Sequence, residues 1–196
     1  MNLDAWRHYL RARLFQLLRR QPRALADYRL ALQHDPDHAR ARHTLAYLLA
    51  GAGRIDEAEP HFRELVRREP RDATAWFNLG FICDQRQQTV EAVAAFREAV
   101  QLRPKLDRAW FGLGLAQAAL GDHAEAAKAF ERVATLEPMN PHAWYQLGMA
   151  YHALRDADKV KGVIQHLHRF DPRMTRRLIL DAERPDLAHL VADLKV

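Results

Sequence analysis

Eleven histidines and a single cysteine are the side chains of this 196-residue sequence whose types could bind a metal or carry covalent chemistry. Their spacing supports neither. His166 and His168 are two apart and fall on different sides of a helix, while His142 and His152 are too far apart in sequence to chelate unaided. No His-Glu-x-x-His string, phosphate-cradling glycine loop or nucleophile elbow occurs. Cys83 stands alone, which excludes an intrachain disulfide and a cysteine zinc site. The sequence therefore predicts no catalytic residue, no metal and no cofactor. What recurs instead is contact chemistry, in two ladders of large side chains. The first holds Tyr9, His43, Phe77, Phe111 and Tyr145; the second, four residues further on, holds Arg13, Tyr47, Phe81, Leu115 and Met149. Aromatic and methionine side chains at fixed intervals offer large contact area and, in tyrosine, a hydrogen-bonding tip.

The interval is set by a repeat. In the stretch from Trp110 to Pro138, the features Trp110, Leu113-Gly114, Ala126, Phe130 and Pro138 reappear 34 residues earlier as Trp76, Leu79-Gly80, Ala92, Phe96 and Pro104. They reappear 34 residues later as Trp144, Leu147-Gly148, Val160, Ile164 and Pro172, and prolines 36, 70, 104, 138 and 172 keep the same step. Trp76, Leu79, Gly80 and Cys83 lie at i, i+3, i+4 and i+7, one face of a first helix; Val90, Val93, Ala94, Phe96 and Val100 stripe a second. A proline closes each second helix because it cannot continue one. Asp72 and Asn140 stand at N-cap positions and Pro141 at a first helical position. Gly80, Gly114 and Gly148, with Ala46 and Ala12 in the same frame, are expected where a second helix crosses closely.

This pattern resembles the tetratricopeptide repeat, in its period and in its Trp, Leu-Gly, Ala, Phe and Pro positions. The resemblance implies an all-α fold, a right-handed α-solenoid (superhelix) of antiparallel helix pairs. One domain over 1–196 is expected, with units at 5–38, 39–72, 73–106, 107–140 and 141–174 and capping helices over 173–196. It also implies a non-catalytic adaptor whose concave face holds a peptide or helical segment of a partner protein; a homo-oligomeric scaffold built through the N-terminal or C-terminal helix, and an accessory subunit of an enzyme or nucleic-acid complex, stay open as alternatives. On that face it places both ladders together with Arg40, Asn78, Asp84, Arg108, His142 and Gln146, which would fix the ligand backbone or an acidic group. Family members that clamp an acidic C-terminal tail use lysine, asparagine and arginine at set places. Here those places hold His43, Tyr47, Asn78, Arg108 and Gly112, of which only Asn78 and Arg108 fit. A tail ending in Glu-Glu-Val-Asp is expected to bind weakly or not at all.

The two ends depart from the pattern. In the first helix His8 replaces the tryptophan, and Leu3, Trp6, Leu10, Leu14 and Leu17 form a stripe that suggests a rotated face. That stripe reads first as a solvent-side cap and second as a dimer contact, so monomer and homodimer both stay open. Pro60 in the second unit predicts a modest bend or a delayed helix start. After Pro172 one further helix is expected, with Leu178 and Ala182 in frame, followed by a short stripe of Leu187, Leu190, Val191 and Leu194 that covers it.

Of the net charge of +5, residues 1–36 carry +4 through seven arginines against three acids. A nucleic-acid solenoid would repeat basic residues in every unit, so no nucleic acid is expected. Arg11, Arg13, Arg19, Arg20 and Arg23 read as a solvated end, with an anionic membrane or partner contact as the lesser alternative. No uncharged stretch approaches membrane-spanning length, and a cytoplasmic protein without membrane insertion is the expectation.

Overall fold

The computed structural model describes residues 2–192, and within them eleven α-helices and one 3-10 helix follow one another without a strand. The chain divides into two compact units, one up to Gln88 and one from Thr89. The first holds α1 (Leu3–Leu17), α2 (Gln21–His34), α3 (Ala39–Gly51), α4 (Ile55–Arg68) and α5 (Ala73–Gln85). The second holds α6 (Thr89–Leu102), α7 (Asp107–Ala119), α8 (His123–Leu136), α9 (Pro141–Ala153), α10 (Ala157–His168), α11 (Pro172–Asp181) and the 3-10 helix Pro185–Val191. Within each unit every helix packs on the next. Connections of three or four residues leave the chain no choice but to reverse.

The turns explain the period. At residues 19, 53, 87, 121 and 155, each 34 from the last, the backbone enters the left-handed region, with φ of 55, 73, 61, 81 and 60°. The amide one residue later bonds back to the carbonyl five residues before it, as in Arg20 to Phe15 (2.8 Å), Asp122 to Gln117 (2.9 Å) and Asp156 to Tyr151 (3.0 Å). This is the Schellman closure of a helix. Glycine occupies only two of the five positions, Gly53 and Gly121. The end of α11 repeats the motif, with Glu183 at φ 52° and Arg184 bonded to Ile179 (2.9 Å). Asp72, Asn140 and Asp171 cap the starts of α5, α9 and α11 through their side chains.

Small residues make room for side chains rather than for backbone. A Cβ on Gly114 would sit 2.7 Å from the ring of Phe130, and one on Gly148 would sit 2.6 Å from Leu178 of α11. Gly112 faces Phe96 in the same way, at 2.7 Å. The second unit's core gathers Phe130, Leu147, Val160, Ile164, Leu167 and Leu178, all nearly sealed from solvent. Leu187 and Val191 close its C-terminal side as expected, with Leu190 partly buried; Leu194 lies outside the described residues. Cys83 is a buried core residue.

One expectation agrees with the structure and one is corrected. The buried side of α1 differs from that of the other first helices: it is Ala5, His8, Tyr9 and Ala12, of which Ala12 shares the frame of Ala46, Gly80, Gly114 and Gly148, and the leucine stripe points to solvent. A polar lock holds this face. Asp27 on α2 accepts from Arg11 through both carboxylate oxygens (Nε to Oδ2 2.7 Å) and lies 3.3 Å from His8 Nδ1, while His34 stacks on His8 at 5.2 Å. The delayed start expected from Pro60 does not occur, since α4 begins at Ile55 and runs through it.

Candidate functional site

The first helices α3, α5, α7 and α9 are anchored from behind. Trp76, Trp110 and Trp144 each donate their indole N–H to a proline carbonyl six residues earlier, Pro70 (2.9 Å), Pro104 (3.0 Å) and Pro138 (2.8 Å). Where the frame has Arg42 instead of tryptophan, its guanidinium donates to the carbonyl of Pro36. The tether fixes the helix rotation, and the two ladders then project at set angles from it.

In the first unit Tyr9 is buried, packed on His38 and Tyr28 at 4.8 and 5.9 Å between ring centres. His43 is half-buried, edge-on to Phe62 at 6.4 Å, and Phe77 and Asn78 are half-buried as well. Arg13, Arg40, Tyr47, Phe81 and Asp84 are exposed. Beside Tyr9 and Arg13 lies a cleft of about 570 Å³ that also takes in Gln16, Leu17, Arg19 and Thr44. Gln16, one turn past Arg13, accepts a 2.8 Å bond from the buried Tyr28 hydroxyl, whose pKa burial pushes up to about 12. Of these, Gln16, Leu17, Arg19 and Thr44 are not among the groove residues that the repeat frame marks. The turn spacing from Arg13 to Gln16 is a usable signal for the first of them.

In the second unit Phe111 packs edge-on against Phe130 at 5.7 Å. Tyr145 donates its hydroxyl to Asp181 of α11 at 2.6 Å, and Arg177 lies over its ring at 5.0 Å. Burial and the Asp181 carboxylate together raise the Tyr145 pKa. Met149 is partly buried against the core and Gln146 is half-buried, whereas Arg108, Leu115 and His142 are exposed.

The ladders thus separate by role. The first is largely consumed in packing between helices. The second leaves Tyr47, Phe81 and Leu115 at 60, 44 and 39% exposure, large apolar side chains at equivalent places on α3, α5 and α7. Among the described residues no group of three or more His, Cys, Asp or Glu is placed to hold a metal ion, and no helix is long and apolar enough to cross a membrane.

Helix pairs in tandem, closed by Schellman turns and proline loops at a 34-residue step, define an all-α solenoid of antiparallel helix pairs. Two sequence profiles described as Tetratricopeptide repeat match residues 43–107 and 107–140, and the chain belongs to that family. Solved structures agree on the fold. A crystal structure of the MamA protein superposes with a TM-score of 0.82 at 17% identity, covering 100% of this chain and 99% of that one. YrrB, described as a TPR protein with an unusual peptide-binding site, gives 0.81 at 24% identity and 92% coverage of both chains. PilF of Pseudomonas aeruginosa gives 0.70 at 21% identity, covering 95% of this chain and 87% of its own. No curated protein sequence matches the chain.

Proposed function

We propose that this protein is a non-catalytic, cytoplasmic adaptor that binds a partner protein through the exposed side chains of the second ladder in each unit. The observation that carries the reading is the exposure of Tyr47 and Phe81 at equivalent places on α3 and α5 of the first unit, and of Leu115 at the same repeat position in the second. Water gains nothing from three large apolar side chains in one frame, and a partner that covers them recovers their hydrophobic free energy. Exposed polar neighbours, Arg40 and Asp84 in the first unit and Arg108 and His142 in the second, supply charges and hydrogen-bonding groups for the partner's backbone. The half-buried members of the first ladder act as the floor that holds these side chains in place. The peptide-binding site of YrrB, a protein of similar fold, agrees with this reading.

The test begins with co-purification from the native cell, which names the partner. Its binding is then compared between wild type and two variants, Tyr47→Glu with Phe81→Glu, and Leu115→Glu alone. Loss of binding with unchanged circular dichroism supports the ladder; full binding by both folded variants refutes it.

A further inference from the structure

We infer that the outer face of α1 is a docking surface for an anionic lipid bilayer, independent of the peptide-binding ladder. Leu3, Leu10, Leu14, Leu17 and Leu18 are each more than half exposed, from 54% at Leu14 to 80% at Leu17. At about 100° per residue they fall within an arc of about 100°, on the side of the helix opposite Ala5 and Ala12, and Leu3 to Leu17 spans about 21 Å. Arginines flank the arc on both sides: Arg7 stands at one margin with Arg11 just beyond it, Arg13 borders the other, and Arg19, Arg20 and Arg23 follow at its C-terminal end. The acids of α1 and α2 neutralise only Arg7 and Arg11, and Arg13, Arg19, Arg20 and Arg23 keep the pole positive. Asp4 is 3.4 Å from Arg7, and Asp27 is buried against Arg11 and His8.

The charge selects the occupant. A second copy docked antiparallel about Leu10 would set the two Arg13 side chains along one edge of the contact and the two Arg7–Asp4 pairs along the other, so Arg13 would meet a like charge and gain no opposite one. An anionic surface meets the same arginines favourably. The exposed apolar residues are a convex ridge of leucines, a side chain under-represented among the anchors of protein interfaces, where tryptophan, tyrosine and arginine dominate. A bilayer needs no matching groove: the leucines enter the acyl boundary while the arginine stems reach the lipid phosphates.

The experiment is vesicle co-sedimentation of the full chain, with phosphatidylcholine alone and with phosphatidylcholine mixed with phosphatidylglycerol. Wild type should sediment with the mixed vesicles and little with the neutral ones, and added salt should weaken it. Leu10→Glu with Leu14→Glu, and separately Arg20→Gln with Arg23→Gln, should each lower partitioning by about tenfold or more, without change in circular dichroism or in binding of the ladder's partner. Equal sedimentation with both vesicle types, or none with the mixed ones, overturns the inference. So does partitioning that survives the leucine variant. A wild-type dimer that Leu14→Glu disperses in light scattering, without vesicle binding, assigns the face to a second copy instead. An acidic protein that captures α1 while vesicles do not assigns it to a protein partner.

Discussion

Single positions in this chain respond to the same substitution in opposite directions, and the surroundings of each decide which. Gly162 lies inside α10 with nothing within 4 Å of the place a Cβ would occupy. Alanine there costs no contact and removes backbone freedom from the unfolded chain, so Gly162→Ala should raise stability by about 0.5–1 kcal/mol. Gly114 is the reverse case. Its added methyl would meet the fully buried ring of Phe130, which has no free volume to enter, and Gly114→Ala should cost about 1–3 kcal/mol. Denaturant titration of both variants checks the pair. Arg155 holds φ at 60° where Gly121 stands one period earlier. Because that conformation crowds any Cβ, Arg155→Gly should gain about 0.5–1 kcal/mol despite glycine's greater freedom when unfolded, and a loss on denaturant titration would contradict this.

At the scale of elements, α1 and α4 each carry a feature that a sequence pattern treats as a fault. Pro60 sits at the sixth residue of α4 and removes the amide that would bond to Asp56. The helix survives because one face is buried through Ala58, Phe62, Leu65 and Val66. Pro60→Ala restores the bond and should raise the thermal midpoint, by about 1–3 kcal/mol in free energy. The α1–α2 pair is fastened by Asp27, whose carboxyl is held below its ordinary pKa, first by the hydrogen bond from Arg11 and then by His8, against the opposing effect of burial. A depressed folded-state pKa contributes stability that is present above the unfolded value of about 4 and is lost as pH falls through the folded value. Unit one should therefore lose stability on acidification below about pH 4. Asp27→Asn, already weakened at neutral pH, should show a flatter decline in a melting series over that range.

Across the whole molecule, exposure sorts residues that share a frame into structure and surface. Phe111→Glu should unfold or strongly weaken the second unit, because the carboxylate would replace a ring packed on Phe130. Leu115→Glu, four residues on and exposed, should leave circular dichroism and the melting temperature near wild type. Comparable destabilisation by both would contradict the division of the ladders. A peptide ending in Glu-Glu-Val-Asp should show no micromolar binding by calorimetry, since a lysine, an asparagine and an arginine of an acidic-tail clamp are replaced by His43, Tyr47 and Gly112.

The 34-residue step, the helix pairs and their caps were legible in the sequence by itself, because they rest on local chemistry. A proline ends a helix wherever it falls in these loops, and an aspartate or asparagine caps one through its own side chain, as Asp72 and Asn140 do. Apolar residues at i, i+3 and i+4 mark a buried face whatever they meet, as at Leu79 and Cys83. What the periodicity leaves open is which of two apolar faces is buried when both exist on one helix. On α1 the leucine stripe is the stronger apolar face, yet it stays exposed and the buried side is Ala5, His8, Tyr9 and Ala12. Small residues let α2 approach, and the Asp27 lock to Arg11 and His8 satisfies the polar groups that this choice buries. Ladder positions are ambiguous in the same way, since a tyrosine at a fixed interval reads alike whether it meets solvent or a neighbour. Only the tertiary structure decides that Tyr145 spends its hydroxyl on Asp181 while Tyr47 remains exposed, because the partner residue on α11 lies 36 residues away in sequence and is brought there by packing.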